Sequence, residues 1–396
     1  MSCNEAVPRA EDGVERSMRV FVLTGKRGGF GAMKPMLRLL RDAEDFELQL
    51  VVTDQHVSQR FGNTIEEVRV DFEISAAVDM EQDGDTPLAR SRALGVCQFK
   101  MSEVMAELDP DICLLYGDRG EVLSTAMVAT TFGIPIGHIQ GGDVSGSVDE
   151  QVRHALTKLS HIHFPSTDES ADRIIKLGEE PSRVHVVGDN HIDLIVAGEY
   201  ADASTVEAAL NIDLTQPVIV VLQHSETTRP DDSYAQMAET LAAVDRFGLQ
   251  TVVVHPCSDV GYGGIIKAIN EMTSAPNYHV AVNLDASIFW GLLARCAVMV
   301  GNSSAGLIET PSFRLPAVNI GRRQNNRLCA ENVLHVGHDR DRIAEAVHKA
   351  LDDSAFQATV ANCRQIYGDG HAGERIINVL RNLDISPELL VKNMTY

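Results

Sequence analysis

The sequence predicts an α/β protein made of two Rossmann-like, doubly wound domains facing each other across a cleft. From Met18 onward, short apolar runs alternate with amphipathic helical stretches, which is the grammar of βαβ units. Several runs, such as DICLLYG and PVIVVLQH, are apolar throughout, as strands buried on both faces of a parallel sheet must be. The same grammar starts afresh after about residue 200, and 396 residues are enough for two cores.

In chain order, the polar MSCNEAVPRAEDGVERS reads as a loose tail over 1–17, unlike a signal peptide. MRVFVLT is the first strand, followed by a glycine-rich turn and the helix MKPMLRLLRDA. FELQLVVT, a helix around QRFGNTIEEV, the helix RSRALGVCQFKMSEVMAEL and the strands DICLLYG, IPIGHI and HIHFPST continue the sheet, and VHVVG at 184–188 closes it. The segment DNHIDLIVAGEYADAST turns polar and helical, which places the boundary near 190. PVIVVLQH, TVVVHP, NYHVAVN, AVMVGNSS, PAVNIG and VLHV are the strands of the second half, with helices ASIFWGLLARC, AGLIETPSF and RIAEAVHKALDD. The expected division is a tail 1–17, a first domain 18–190 and a second domain 191–375. A last helix within 376–396 would cross back to the first domain.

Hydrophobic residues make up 44% and charged ones 23%, the composition of an ordinary globular protein. A formal charge of −22 argues against nucleic acid or an anionic membrane as partner, so any anion site must be local. The seven cysteines are scattered, odd in number and without metal-ligand spacing, which reads as a reduced, cytoplasmic protein. No apolar run reaches the roughly 18 residues of a membrane span.

The segment GHIQGGDVSGSVDEQVRHALTKLS brings a strand end, the glycine pair Gly141-Gly142, and the carboxylates Asp143, Asp149 and Glu150 to one opening. Ligands of open α/β sheets bind at such ends, yet Asp149 before a helical pattern also suits a plain N-cap. Gly301-Asn302-Ser303-Ser304 follows a strand and enters a helix, offering hydroxyls and unpaired N–H groups to a phosphate, or a simple serine cap. Glu309 further along that helix is placed either for a ribose diol or for solvent. Gly25-Lys26-Arg27-Gly28-Gly29-Phe30-Gly31 occupies the slot of a phosphate loop but matches neither the dinucleotide nor the P-loop fingerprint. Arg27, Arg119, and the group Arg322, Arg323 and Arg327 all fall near strand ends, where a guanidinium can fork onto phosphate oxygens. Asp118 and His224 end strands too, available for proton transfer or for capping and loop roles. His154, His161 and His163 read as packing or surface residues, and His56 stays open.

Together, Gly62-Asn63-Thr64, Gly117-Asp118-Arg119, HIQGGDVSGSVDEQVRHALTKLSH, Gln223-His224, GNSSAGLIE, Gly321 to Gln324, ENVLHV and YGDGHAGERI resemble the hydrolysing UDP-N-acetylglucosamine 2-epimerases of the sialic acid pathway. The likeness spans the chain from about Met18. It implies the glycosyltransferase-B architecture, a homodimer or homotetramer, and no cofactor, metal or nicotinamide. It implies anti elimination of UDP from a nucleotide sugar to a 2-acetamidoglucal, then hydration to N-acetylmannosamine. Carried over by position, Asp118, Asp143, Asp149 and His224 would be catalytic, while Arg27, Arg119, Ser303, Ser304, Glu309 and Arg323 would hold UDP. The chain departs from the family at Arg27-Gly28-Gly29-Phe30, where Arg-Ala-Asp/Glu-Tyr is usual, at Asp143 in place of glutamate, and at Cys257 near the usual asparagine. These departures leave open a related UDP- or GDP-linked diacetamido sugar, a non-hydrolysing epimerase, a glycosyltransferase and a non-catalytic nucleotide-sugar binder.

Overall fold

The computed structural model describes residues 16–59, 62–84, 86–144, 149–257 and 259–396; the side chain of Arg27 and most of the expected N-terminal tail lie outside the described residues. The first half holds β1 (Met18–Thr24), β2 (Phe46–Thr53), β3 (Ala76–Val78), β4 (Ile112–Tyr116), β5 (Ile136–Ile139) and β6 (Ile162–Phe164). They form one parallel sheet in the order β3-β2-β1-β4-β5-β6. The second half holds β7 (Val218–Leu222), β8 (Gln250–Val254), β9 (Tyr278–Ala281), β10 (Val298–Gly301), β11 (Ala317–Ile320) and β12 (Val333–Val336). Its parallel order is β12-β11-β10-β7-β8-β9, the same winding again. This is the two-fold Rossmann-like architecture that the resemblance implies. No helix among the described residues is long and apolar enough to cross a membrane.

Strand alternation divides each core in two. Val20 and Val22 of β1 pack with Met36, Leu37 and Leu40 of the helix Arg27–Asp42, while Phe21 and Leu23 face Cys97, Met101 and Met105 of the helix Pro87–Leu108. In β7, Ile219 and Val221 meet Ile343 and Val347 of the helix Arg340–Asp352, whereas Val218, Val220 and Leu222 pack toward Trp290. The helix Ala372–Arg381 returns to the first half, where Ile376 and Leu380 share the core of Val20 and Leu40.

Four local expectations need correction. The glycine-rich turn after β1 is helical from Arg27, and a Cβ on Gly31 would stand 2.6 Å from Ala286, so glycine there lets two helices touch. The helix in QRFGNTIEEV starts only at Ile65, after Gly62 and Asn63 adopt positive φ. VHVVG is not a strand: it makes a single bridge, Val184 to His163, and leaves the sheet at Gly188. The helix AGLIETPSF is also shorter than expected, passing from Ala305–Ile308 into a 3-10 turn at Pro311, which lacks an N–H to continue it.

Beyond the final helix, the chain straps across the first half. Arg183 donates to the carbonyls of Leu389 and Val391, each at 2.8 Å. Lys392 donates to the carbonyl oxygens of Thr157 and Ser160 at the end of the helix Asp149–Leu159, and pairs with Glu179 at 2.7 Å. Glu179 is 2% exposed and also meets Lys158 and His163. Burial raises its pKa, but hydrogen bonds from His163, Lys158 and Lys392 outweigh that and hold it down at about 2 from the usual 4.5. Its stabilisation is therefore complete above pH 4.5 and fades as pH falls toward 2. Glu179→Ala is expected to lower unfolding free energy at neutral pH by about 3 kcal/mol. In urea titrations the deficit relative to wild type should shrink on acidification through that window; a constant deficit would show that Glu179 is not ionised in the pair.

Candidate active site

Both doubly wound sheets change winding direction between their first and fourth strands, and the two switch points face each other. A cavity of about 270 Å³ lies between them, reached by residues that follow β1, β4 and β5 on one side and β7, β8 and β10 on the other.

The wall of the first half carries Lys26, Gly28, Gly29, Tyr116, Asp118, Arg119, Gln140, Asp149 and Arg153. Gly117 takes φ 84°, turning the chain sharply so that Asp118 points into the cleft. Asp118 is ion-paired with Arg153, one helical turn along from Asp149 on the helix Asp149–Leu159. Burial pushes the Asp118 carboxyl up, but Arg153, with Lys26, Arg327 and Arg323, outweighs it and holds the group ionised below its usual range. Asp149 opens its helix, where a carboxylate suits the dipole, and still lines the cavity. Cap and site are here the same residue.

Asp143 does not line the cavity. It is 3% exposed, accepts from the Ser170 hydroxyl at 2.6 Å and pairs with Arg327 at 2.5 Å. Its backbone is fixed by Gly142, at φ 78°, where a Cβ would clash with the Ser170 carbonyl oxygen at 2.1 Å. In this structure the Asp143 carboxylate, expected to do acid/base work, anchors Arg327 instead of facing the cavity. Arg119 lines the cavity, but its guanidinium donates to Glu121 at 2.8 Å, Asp259 at 2.9 Å and Asp54 at 3.2 Å. The guanidinium expected to meet phosphate is thus part of a buried carboxylate cluster that reaches across the cleft. Arg27 is in a helix beside the cavity, with its side chain outside the described residues.

The wall of the second half carries His224, Cys257, Ser303, Ser304, Glu309, Arg323 and Arg327. Asn302 accepts from the His224 amide at 2.7 Å and donates to its carbonyl at 2.9 Å, tying the ends of β7 and β10 together. The His224 Nδ1 accepts from the Cys257 amide at 3.1 Å. Burial and then Arg323 push the imidazole pKa well below 6.5, against the pull of Asp259. A neutral ring whose Nδ1 accepts must carry its proton on Nε2, so His224 is a donor. Ser304 stands at the cap position of its short helix without a side-chain cap bond, and Ser303 accepts weakly from the Ala305 amide at 3.4 Å. Arg323 sits 3.7 Å from Asp259 and 4.0 Å from Asp149, and donates to the Asn302 carbonyl at 3.3 Å. Arg322 faces a different hollow.

Sequence reasoning missed Lys26, Tyr116, Arg153, His191, Asp259 and Gln140. Arg153 was signalled, lying four residues after Asp149 on one helix face. Asp259 and His191 carry no such signal, because what places them at the site is distant in sequence: Arg119 and Arg323 for Asp259, Tyr116 and Glu309 for His191. His56 is a packing residue held between Thr24 at 3.1 Å and Thr64 at 2.7 Å. His138 and His161, both buried and pushed down to about 4, stay neutral structural groups.

The model of the UDP-N-acetylglucosamine 2-epimerase family matches residues 38–381. The chain is 32% identical over 379 residues to a protein of Legionella pneumophila named UDP-N,N'-diacetylbacillosamine 2-epimerase (hydrolyzing), covering 96% of this chain and 99% of that one. It is 28% identical over 341 residues to a UDP-N-acetylglucosamine 2-epimerase of Neisseria meningitidis, covering 86% and 89%. A crystal structure of UDP-GlcNAc 2-epimerase from Neisseria meningitidis bound to UDP-GlcNAc superposes with a TM-score of 0.80 at 20% identity, covering 92% of this chain and 100% of that one.

Two measurements check this geometry. Imidazole NMR should find His224 neutral, as the Nε2–H tautomer, while pH falls through the ordinary histidine range around 6.5; a ring that titrates there contradicts the arrangement. Asp143→Ala strands the Arg327 guanidinium and should cost about 3 kcal/mol of unfolding free energy. No loss in chemical denaturation would mean the pair is not buried.

Proposed function

The chain belongs to the UDP-N-acetylglucosamine 2-epimerase family, and from that membership we propose that it is a hydrolysing 2-epimerase of a UDP-linked 2-acetamido sugar. The observation that carries this reading is the meeting, in one cavity, of ionised Asp118, Asp149, donor His224 and the Ser303-Ser304 turn. On UDP-N-acetylglucosamine, the product is N-acetylmannosamine, a precursor of sialic acid-type sugars.

In the first step, a carboxylate takes the C2 proton, the C2–H electron pair becomes the C1=C2 bond of the glucal, and the C1–O pair leaves with UDP. In the second, water adds hydroxyl to C1 while C2 receives a proton on the opposite face. Asp118 and Asp149 supply the two proton-transfer groups, and each needs to be ionised or protonated in turn as the steps alternate. His224 donates Nε2–H toward the departing diphosphate, whose charge Arg323, Ser303 and Ser304 also meet. Glu309 takes the ribose hydroxyls. We place residues 18–190 on the sugar side and 191–375 on the UDP side, in a cytoplasmic homo-oligomer.

A second reading keeps the chemistry and changes the sugar to a UDP-linked 2,4-diacetamido derivative. It is favoured by Gly28 and Gly29 in the cavity wall: no atom stands within 4 Å of a Cβ added at Gly28, and the nearest at Gly29 is Tyr116 at 3.7 Å. The open wall leaves room for a substituent larger than hydroxyl, and the Legionella relative is named for such a sugar.

Incubation with UDP-N-acetylglucosamine and its diacetamido analogue in D₂O, followed by NMR, tests both. The expected outcome is free C2-inverted sugar carrying deuterium at C2, with one UDP released per turnover. Protium retained at C2 would eliminate the mechanism, and UDP-linked inverted sugar would make the enzyme non-hydrolysing. Asp118→Asn or Asp149→Asn should lower turnover by at least about 10²-fold with UDP affinity nearly unchanged.

A further inference from the structure

Glu309 is 5% exposed, and its Oε2 accepts from the Trp290 indole at 2.6 Å. Its other oxygen faces the His191 Nε2 at 3.9 Å, too far for a hydrogen bond but close enough for charge to act on charge. His191 heads the helix Asn190–Val196, and its Nδ1 lies 2.7 Å from Asp189 and 3.1 Å from the Tyr116 hydroxyl. Asp189 is fully buried, accepts the His191 amide at 2.9 Å and also accepts from Gln140. Tyr116, Gln140, His191, Trp290 and Glu309 all line the cavity. With Nδ1–H held by Asp189, the doubly protonated ring also turns an Nε2–H toward Glu309.

We propose that His191 is a positioning residue: anchored on Asp189, its imidazolium keeps Glu309 ionised, so that Glu309 accepts from the ribose hydroxyls of a uridine diphosphate ligand. The inference rests on the reading that the ribose meets Glu309. A buried carboxyl left alone would take up a proton and become a poorer acceptor for a diol. Burial pushes Glu309 up, and Asp189 adds to this, while His191 and the Trp290 bond pull it down. For His191, burial works against charge, but Asp189 and Glu309 outweigh it and raise the imidazole above its usual range, with Lys26 opposing. Rising pH removes the imidazolium, and falling pH protonates Glu309. Ribose selectivity is therefore greatest between the two titrations and falls on either side.

The test is the affinity ratio of UDP to 2′-deoxy-UDP, measured by calorimetry on the full chain across that pH range; the titration of the phosphate itself cancels in the ratio. Wild type should prefer UDP by about tenfold or more, with a bell-shaped dependence on pH, and a flat profile overturns the proposal without any variant. His191→Gln and His191→Asn should shrink the preference and move its acid limb to higher pH. If both keep the wild-type ratio and profile while Glu309→Gln abolishes the preference, His191 has no such role and the ribose reading stands. If Glu309→Gln keeps the preference, the ribose reading fails, and the proposal with it.

Discussion

The cleft depends on guanidinium groups that tie its two walls together. Arg119 reaches Asp259 from the first half, while Arg323 and Arg327 reach Asp149 and Asp143 from the second. A chain with 34 basic residues against 56 acidic ones concentrates several of its few cations at one place. Each is buried or nearly so, and a buried charge without its partner costs several kcal/mol. The carboxylates around the cavity are therefore as much a part of its construction as the arginines, since they hold those cations in place across the cleft.

The same low-dielectric pocket treats its ionisable groups in opposite ways. Asp118 stays ionised because Arg153 and three further cations surround it. Glu309 is pushed up because its own burial, with Asp189 adding, outweighs the pull of His191 and the Trp290 bond. His224, between Arg323 and the amide of Cys257, is kept neutral and committed to one tautomer. The ionised carboxylate, the carboxyl pushed upward and the neutral imidazole thus differ less in residue type than in burial and in which charge stands next to them.

The fold was legible because both sheets are parallel and buried, so their strands appear as unbroken apolar runs such as ICLLY and VIVVL. Strand ends then pointed to Asp118, Asp149, His224 and Ser303 from the rule of topological switch points. The inward turn of Asp143 was not legible, because local sequence shows a carboxylate at a strand end but not Arg327, 184 positions away, which pairs with it. The carboxylate partners of Arg119 were hidden likewise, since Asp54 and Asp259 are invisible from Gly-Asp-Arg. VHVVG has the composition of a strand, yet the chain must leave the sheet at Gly188 to reach the second half. Tertiary demand overrides propensity there.

Where the chain passes between halves, it does so twice and side by side. Gly188 and Gly368 touch closely enough that a Cβ on either would meet the other within about 3.3 Å, and the Asp189 amide donates to the Tyr367 carbonyl at 2.6 Å. Because Ile376 and Leu380 complete the core around Val20, the second sheet is topologically an insertion into the first half. During vectorial synthesis, the half that emerges first from the ribosome cannot finish its core until residues near 380 have also emerged. The inserted half, synthesised later, is able to close before it.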